Sequence, residues 1–125
     1  MGITYIEGVA RGPNGEQEAV KFLVDSGSQY TLLPDGIWQR LGLQPKRKLE
    51  FVLADGTSVE RDVSECYVEL PQGGGTSPVV LGQPGDEALL GVVTLENLGL
   101  VFHPFSRTLH PMRMLMVGMR LLPAN

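Results

Sequence analysis

An all-β fold is predicted by three features of this 125-residue chain. Glycine and proline together supply 25 of the 125 positions (16 Gly, 9 Pro), a turn-rich balance that favours short strands over long helices. The apolar residues come in short runs, Phe22-Leu23-Val24, Leu32-Leu33, Val79-Val80-Leu81 and Leu89-Leu90, each of a length that suits a buried strand. Between β-type segments stand Asn14-Gly15 and Asp55-Gly56, the dipeptides that favour tight hairpin turns.

Taken in order, Ile3 to Ala10 and Glu18 to Val24 are expected to pair as a hairpin across Gly12-Pro13-Asn14-Gly15. Pro34 and Asp35 open a short helix through Ile37, Trp38 and Leu41, which Gly42 closes, with Trp38 as a core anchor. Leu49 to Leu70 reads as a second hairpin with its tip at Ala54-Asp55-Gly56-Thr57. In its second arm Val59 and Val63 share one parity, whereas Cys66, Val68 and Leu70 share the other, which predicts a bulge or bend between Val63 and Glu65. The outer half carries Glu60, Arg61 and Asp62 and should project from the body. Pro71 to Ser77 reads as a glycine-rich turn, Pro78 to Leu81 as a buried strand and Gly82 to Glu87 as a loop. Leu89-Leu90 then runs into Gly91, and Thr94 is expected to cap a short helix over Leu95 and Leu98 that ends at Gly99. The alternation in Met112 to Val117 suggests a last strand, either closing a barrel or pairing with another copy.

Length bounds the chain to one domain, residues 1–125, with a single core. A net charge of −4 and a pI near 5.1 argue against nucleic acid as a partner, and Arg40, Lys46, Arg47 and Lys48 read as a solvated turn. A lone cysteine, Cys66, cannot form an internal disulfide, which fits a reducing compartment. No stretch approaches the ~20 apolar residues of a spanning helix, and the N-terminus lacks a signal-peptide core. The expectation is a soluble, cytoplasmic protein without a membrane partner. His103 and His110 each stand beside a proline with no acid or cysteine nearby, so neither a metal nor another cofactor is expected.

One stretch conflicts with this bland picture. Phe22-Leu23-Val24 runs into Asp25, then Ser26-Gly27-Ser28, and apolar sequence resumes at Leu32. Asp-Ser-Gly is ordinary turn chemistry. Flanked by buried strands, however, the acid should lie near the interior, where a charge is costly and its pKa shifts, and such acids are candidates for function. Leu89-Leu90-Gly91 later repeats the pattern of a buried strand entering a glycine.

Together these segments resemble the retropepsin-like family of single-domain, retroviral-type aspartic proteases. Leu23-Val24-Asp25-Ser26-Gly27-Ser28 is similar to its apolar-apolar-Asp-Thr/Ser-Gly-Ala/Ser motif, Leu89-Leu90-Gly91 to its later hydrophobic-hydrophobic-Gly motif, and the hairpin near residues 49–63 to its flap. The resemblance runs from about Val20 to Leu100 and implies a closed acid-protease barrel with one or two short helices. It also implies a mechanism. Two carboxylates sharing a proton, one ionised and one protonated, activate water and polarise a scissile carbonyl. This chain has one such motif, so the second Asp25 would come from a homodimer. By resemblance Asp25, Ser26 and Gly27 are the catalytic set. Ser28, Gln29, Asp55, Gly56, Thr57 and Leu90 are the residues expected to meet a polypeptide substrate, Leu90 also being read as core.

Two positions depart from the viral pattern. Gln29 stands where an acid is usual and Val92 where an arginine is usual, so the ion pair that buttresses viral dimers cannot form. That absence leaves an alternative open, a non-catalytic retropepsin-like module that binds peptides or assembles by its strands.

Overall fold

Residues 3–25, 27–114, 116 and 118 are described by the computed structural model. The first hairpin forms where Asn14-Gly15 predicts it. Gly15 takes φ 86°, its N–H donates to Gly12 O at 3.3 Å, and Asn14 Oδ1 accepts from Glu16 N–H at 2.9 Å. This turn registers β1 (Tyr5–Arg11) on β2 (Gln17–Val24), from Arg11 opposite Gln17 to Tyr5 opposite Leu23. After β3 (Thr31–Leu33) comes α1 (Asp35–Arg40), whose entry is made by Pro34 O accepting from Ile37 and Trp38 N–H. Gly42, at φ 71°, ends that helical turn, and Trp38 Nε1 donates to Gly82 O at 2.8 Å, tying helix to loop.

The second hairpin pairs β4 (Arg47–Val52) with the outer half of β5 (Ser58–Leu70). From Val63 inward β5 pairs instead with β6 (Gly73–Leu81), residue against residue. The expected bulge is absent from this pairing. The change of parity has another cause: Val59 and Arg61 face the cleft described below, while Cys66, Val68 and Leu70 face the core, so one regular strand is buried on opposite faces in its two halves. The basic run is corrected too, since Arg47 and Lys48 belong to β4, and Lys48 pairs with Asp62 at 3.4 Å.

The glycine-rich turn is shorter than predicted. Gly73 to Ser77 are strand, and only Pro71-Gln72 turn the chain. Tyr67 explains one of these glycines, because a Cβ on Gly74 would lie 2.6 Å from its hydroxyl, so glycine makes room for the ring on the neighbouring strand.

β7 (Leu89–Leu90) is the wedge of the fold. It lies parallel to β2, Leu23 opposite Leu89 and Val24 opposite Leu90, and antiparallel to β3 at Leu32. The resulting order is β1-β2-β7-β3-β6-β5-β4, and β5 returns to pair with β1 through Val9 opposite Glu69, which closes a ring of strands around Phe22, Leu33, Val68, Val79 and Leu90. β4 is left outside the ring as the hairpin's outer arm.

Helix α2 (Val92–Asn97) starts two residues before the expected cap, with Gly91 at the N-cap and Thr94 fully buried inside it. Thr94 therefore caps nothing. The last hairpin, β8 (Leu100–His103) and β9 (Thr108–Pro111), buries Leu100 and Leu109. The strand expected at Met112 to Val117 is not found among its described residues, Met112, Arg113, Met114 and Met116, while Leu115 and Val117 lie outside them. Met112 N–H instead donates to Gly99 O at 2.7 Å, returning the chain to the end of α2. Among the described residues no helix is long and apolar enough to cross a membrane.

Gly91 has an ordinary φ of −98°, but a Cβ there would stand 2.4 Å from Tyr30 C and 2.6 Å from the Gln29 and Tyr30 carbonyl oxygens. Backbone cannot yield as a side chain can, so Gly91→Ala is expected to cost about 2–4 kcal/mol. Gly75→Ala, whose Cβ meets only Leu98 Cδ2 at 3.8 Å, should change stability by less than about 0.5 kcal/mol. Urea unfolding of the two variants checks the contrast.

Candidate active site

Asp25 emerges where β2 and β7, paired side by side, both end. Its N–H donates to Leu90 O at 3.3 Å, its carbonyl accepts from Ser28 N–H at 3.0 Å, and its Oδ1 accepts from Gly27 N–H at 2.9 Å. A Cβ on Gly27 would come within 3.3 Å of that same oxygen, so glycine leaves the carboxylate room. In the single chain Asp25 is exposed, which corrects the expectation of an acid sunk in apolar surroundings. The apolar run stops at Val24, and the next residue already stands in an open cleft. Ser26 lies outside the described residues.

The loop carrying Asp25 is held from behind. Ser28 O and Gln29 O accept from Val92 and Val93 N–H at 3.0 and 2.8 Å, which satisfies the first turn of α2, and Ser28 Oγ donates to Tyr30 O at 2.9 Å. Deeper, Thr94 Oγ1 lies 2.5 Å from Thr31 Oγ1 and 2.8 Å from Ser77 Oγ, and Gly91 N–H donates to Thr31 Oγ1 at 3.0 Å. Sequence reasoning missed this buried chain. Its only signal was a hydroxyl residue at the edge of three apolar runs, at Thr31, Ser77 and Thr94.

Between this loop and the β4–β5 hairpin lies a cleft of about 720 Å³. Asp25, Gly27, Ser28 and Gln29 line one side, and Leu49, Phe51, Val52, Leu53, Val59 and Arg61 the other. Four of the residues expected to meet substrate lie off the lining of this cleft. Leu90 is fully buried core and does not line the cleft. Asp55, Gly56 and Thr57 form the exposed outer tip, and the neighbouring Val52, Leu53 and Ala54 meet the cleft in their place. Val52 is 70% exposed, an apolar surface left uncovered at the end of the hairpin.

Tyr30, Phe51, Arg61 and Asp86 also line the cleft and were not singled out. Phe51 stands edge-on to Tyr30, ring centroids 5.7 Å apart, and Arg47 Nη2 donates to the Tyr30 hydroxyl at 3.2 Å. Strand β4 is thereby tied to the Asp25 loop at both Arg47 and Phe51, while the turn beyond it closes through Leu53 N–H donating to Thr57 O at 2.7 Å. The odd parity of Arg47, Leu49 and Phe51 was the available signal.

Elsewhere, His103 and His110 stack at 4.1 Å on the β8–β9 hairpin, and among the described residues no group of three or more His, Cys, Asp or Glu is gathered. Burial pushes the Cys66 thiol up to about 12, so it is a neutral core group.

Comparison with known proteins supports the resemblance. Residues 14–97, more than half of the chain, match the family model described as "gag-polyprotein putative aspartyl protease", a span that includes both Asp25 and Gly91. Among solved structures, the solution structure of Simian Foamy Virus (mac) protease superposes with a TM-score of 0.52 at 17% identity, over 74% of this chain and 91% of that one. The likeness is one of fold. No curated protein matches the sequence.

The hairpin tip carries a titratable latch. Asp55 Oδ1 accepts from Thr57 Oγ1–H at 2.7 Å and from Thr57 N–H at 2.9 Å, bonds that hold its carboxyl below the ordinary 3.8. Because the folded value is depressed, the latch is intact above 3.8 and is lost as pH falls through the lowered value. Carbon NMR of the Asp55 carboxyl should give a midpoint below 3.8 that rises in Thr57→Ala. An unmoved midpoint would discard the hydroxyl as its cause.

Proposed function

The chain belongs to the gag-type, retropepsin-like aspartyl protease family, and from that membership we propose that it is an aspartic endopeptidase acting as a homodimer on extended polypeptides. The observation that carries the proposal is the exposed Asp25 carboxylate, held by backbone hydrogen bonds at the paired ends of β2 and β7 and opening into a cleft beneath a hairpin. One carboxylate cannot be base and acid at once. Two brought together share a proton, so that one accepts a proton from water while the other donates to the scissile carbonyl.

A second apolar hollow supports the dimer. Val24, Leu90, Val92, Leu95, Phe102 and Met112 line a space of about 200 Å³ that also touches Asp25. A second copy covering this face would bring its own Asp25 alongside and remove both acids from water, which is the burial that a single chain lacks. Exposed Ile3, Tyr5 and Met114 would extend the apolar contact. Ser26, as in the family, would bond across the axis. A bound peptide would lie extended, as an added strand, with Val52 and Leu53 closing over it to exclude water. No metal or covalent intermediate is needed for this chemistry.

A non-catalytic peptide-binding or assembly module is the second reading, favoured by the missing ion pair at Gln29 and Val92.

Asp25→Asn should lower peptide hydrolysis by about a hundredfold or more while leaving the unfolding midpoint near that of the parent, because an amide can neither share nor transfer the proton. Full activity in this variant would end the aspartic reading. Specific activity should fall on dilution as dimers dissociate, with little dependence on salt, since apolar contact holds the proposed interface. A monomer by sedimentation with constant specific activity would exclude the shared dyad.

A further inference from the structure

The cleft face of the β4–β5 hairpin carries charge that the proposed chemistry leaves unused. Across the register Arg47, Leu49 and Phe51 stand opposite Val63, Arg61 and Val59, and directly opposed side chains of an antiparallel pair share a face. Lys48 opposite Asp62 and Glu50 opposite Glu60 belong to the other face by register, although Glu50 also borders the cleft. The lysines of this region are neutralised, Lys46 by Glu65 at 2.8 Å and Lys48 by Asp62 at 3.4 Å. The arginines are not. Arg61 Nη1 donates to the carbonyl of its neighbour Glu60 at 3.0 Å, and Arg47 Nη2 donates to the Tyr30 hydroxyl. Among the described residues neither has a carboxylate within 4.0 Å. The acids that also line the cleft, Asp25, Glu50 and Asp86, are beyond that distance, and Asp86 already accepts from Gln83 N–H at 2.8 Å.

We propose that Arg61, with Arg47 on the same face, selects an acidic side chain, Asp or Glu, at one position of the extended peptide. This rests on the cleft being a peptide site, as argued above. Arg61 is half-buried beside Leu49 and Val59, so its attraction for a carboxylate is screened less than at an open surface, and the guanidinium fork offers two parallel hydrogen bonds that offset the carboxylate's lost hydration. An extended peptide presents alternate side chains to one face, which makes the preference positional rather than a general taste for acidic substrates. The whole chain is negative, at −4, and repels acidic peptides at long range, so the selection depends on this local pair.

The test uses the full chain and a randomised eight-residue peptide library, followed by a matched pair of fluorescent peptides differing by one Glu/Gln replacement. Cleaved products should be enriched in Asp or Glu at a single position, and the Glu peptide should be preferred about tenfold over its Gln partner, with the ratio shrinking as salt rises. Arg61→Met should bring that ratio close to one, and Arg61→Glu should turn the preference toward Lys and Arg. Cleavage with no acidic position, or an acidic preference that survives Arg61→Met, would overturn the inference while leaving the protease reading intact. If no peptide is cleaved, the protease reading fails, and fluorescence anisotropy of the same two peptides then decides. Tighter binding of the Glu peptide that is lost in Arg61→Met would uphold the selective subsite, and equal binding of the pair would remove it.

Discussion

Thr94 Oγ1, buried within α2, reaches Thr31 Oγ1 on β3 and Ser77 Oγ on β6, and Thr31 in turn accepts from Gly91 N–H. Three separate segments, β3, β6 and α2 with its cap, are joined by these few bonds. Buried hydroxyls without partners would each cost about 1–3 kcal/mol, so the network specifies one arrangement of the three and penalises others. Around it Gly91 packs against the Tyr30 backbone with no space for a side chain, and the first turn of α2 takes the Ser28 and Gln29 carbonyls as its partners. The loop that carries Asp25 is therefore positioned by groups other than its own.

The same seam separates two surfaces. On one side of Asp25 lies the cleft under the hairpin, and on the other the apolar hollow of α2 and β8. The hairpin is tied to Tyr30 at two points of β4, Arg47 and Phe51, whereas the turn beyond them is held by the Leu53–Thr57 bond and leaves residues 52–58 exposed. Few buried contacts at such an end are the conditions for a segment that opens locally while the barrel stays folded.

Much of this organisation was legible in the chain. Asn14-Gly15 and Asp55-Gly56 marked both long hairpins because glycine at positive φ, 86° and 88°, is a local requirement that needs no tertiary information. Asp25 and Gly91 were found from apolar runs ending in residues that do not belong in a buried strand. Errors arose where a neighbour distant in sequence decided the outcome. Pro71 to Ser77 read as turn although Gly74 is a strand glycine that leaves room for Tyr67, and the parity change in β5 read as a bulge or bend although both faces of a regular strand are in use. Thr94 satisfied the local rule for a cap, yet a helix already begun at Val92 carried it inward to two other hydroxyls.

Sequence alone determined the mainly β class, the turns and the Asp25-Ser26-Gly27 and Leu89-Leu90-Gly91 segments, since each rests on backbone preferences and apolar patterning within a few residues. Tertiary structure decided what surrounds them. Ring closure through β1 and β5 sets β4 outside the barrel, and only then do Phe51, Arg61 and Tyr30 share a cleft while Leu90 is buried in the core. It also decided that Asp25 stands in the open in one chain. Burial is a property of everything packed around a residue, and no pattern of neighbours along the chain reports the empty side.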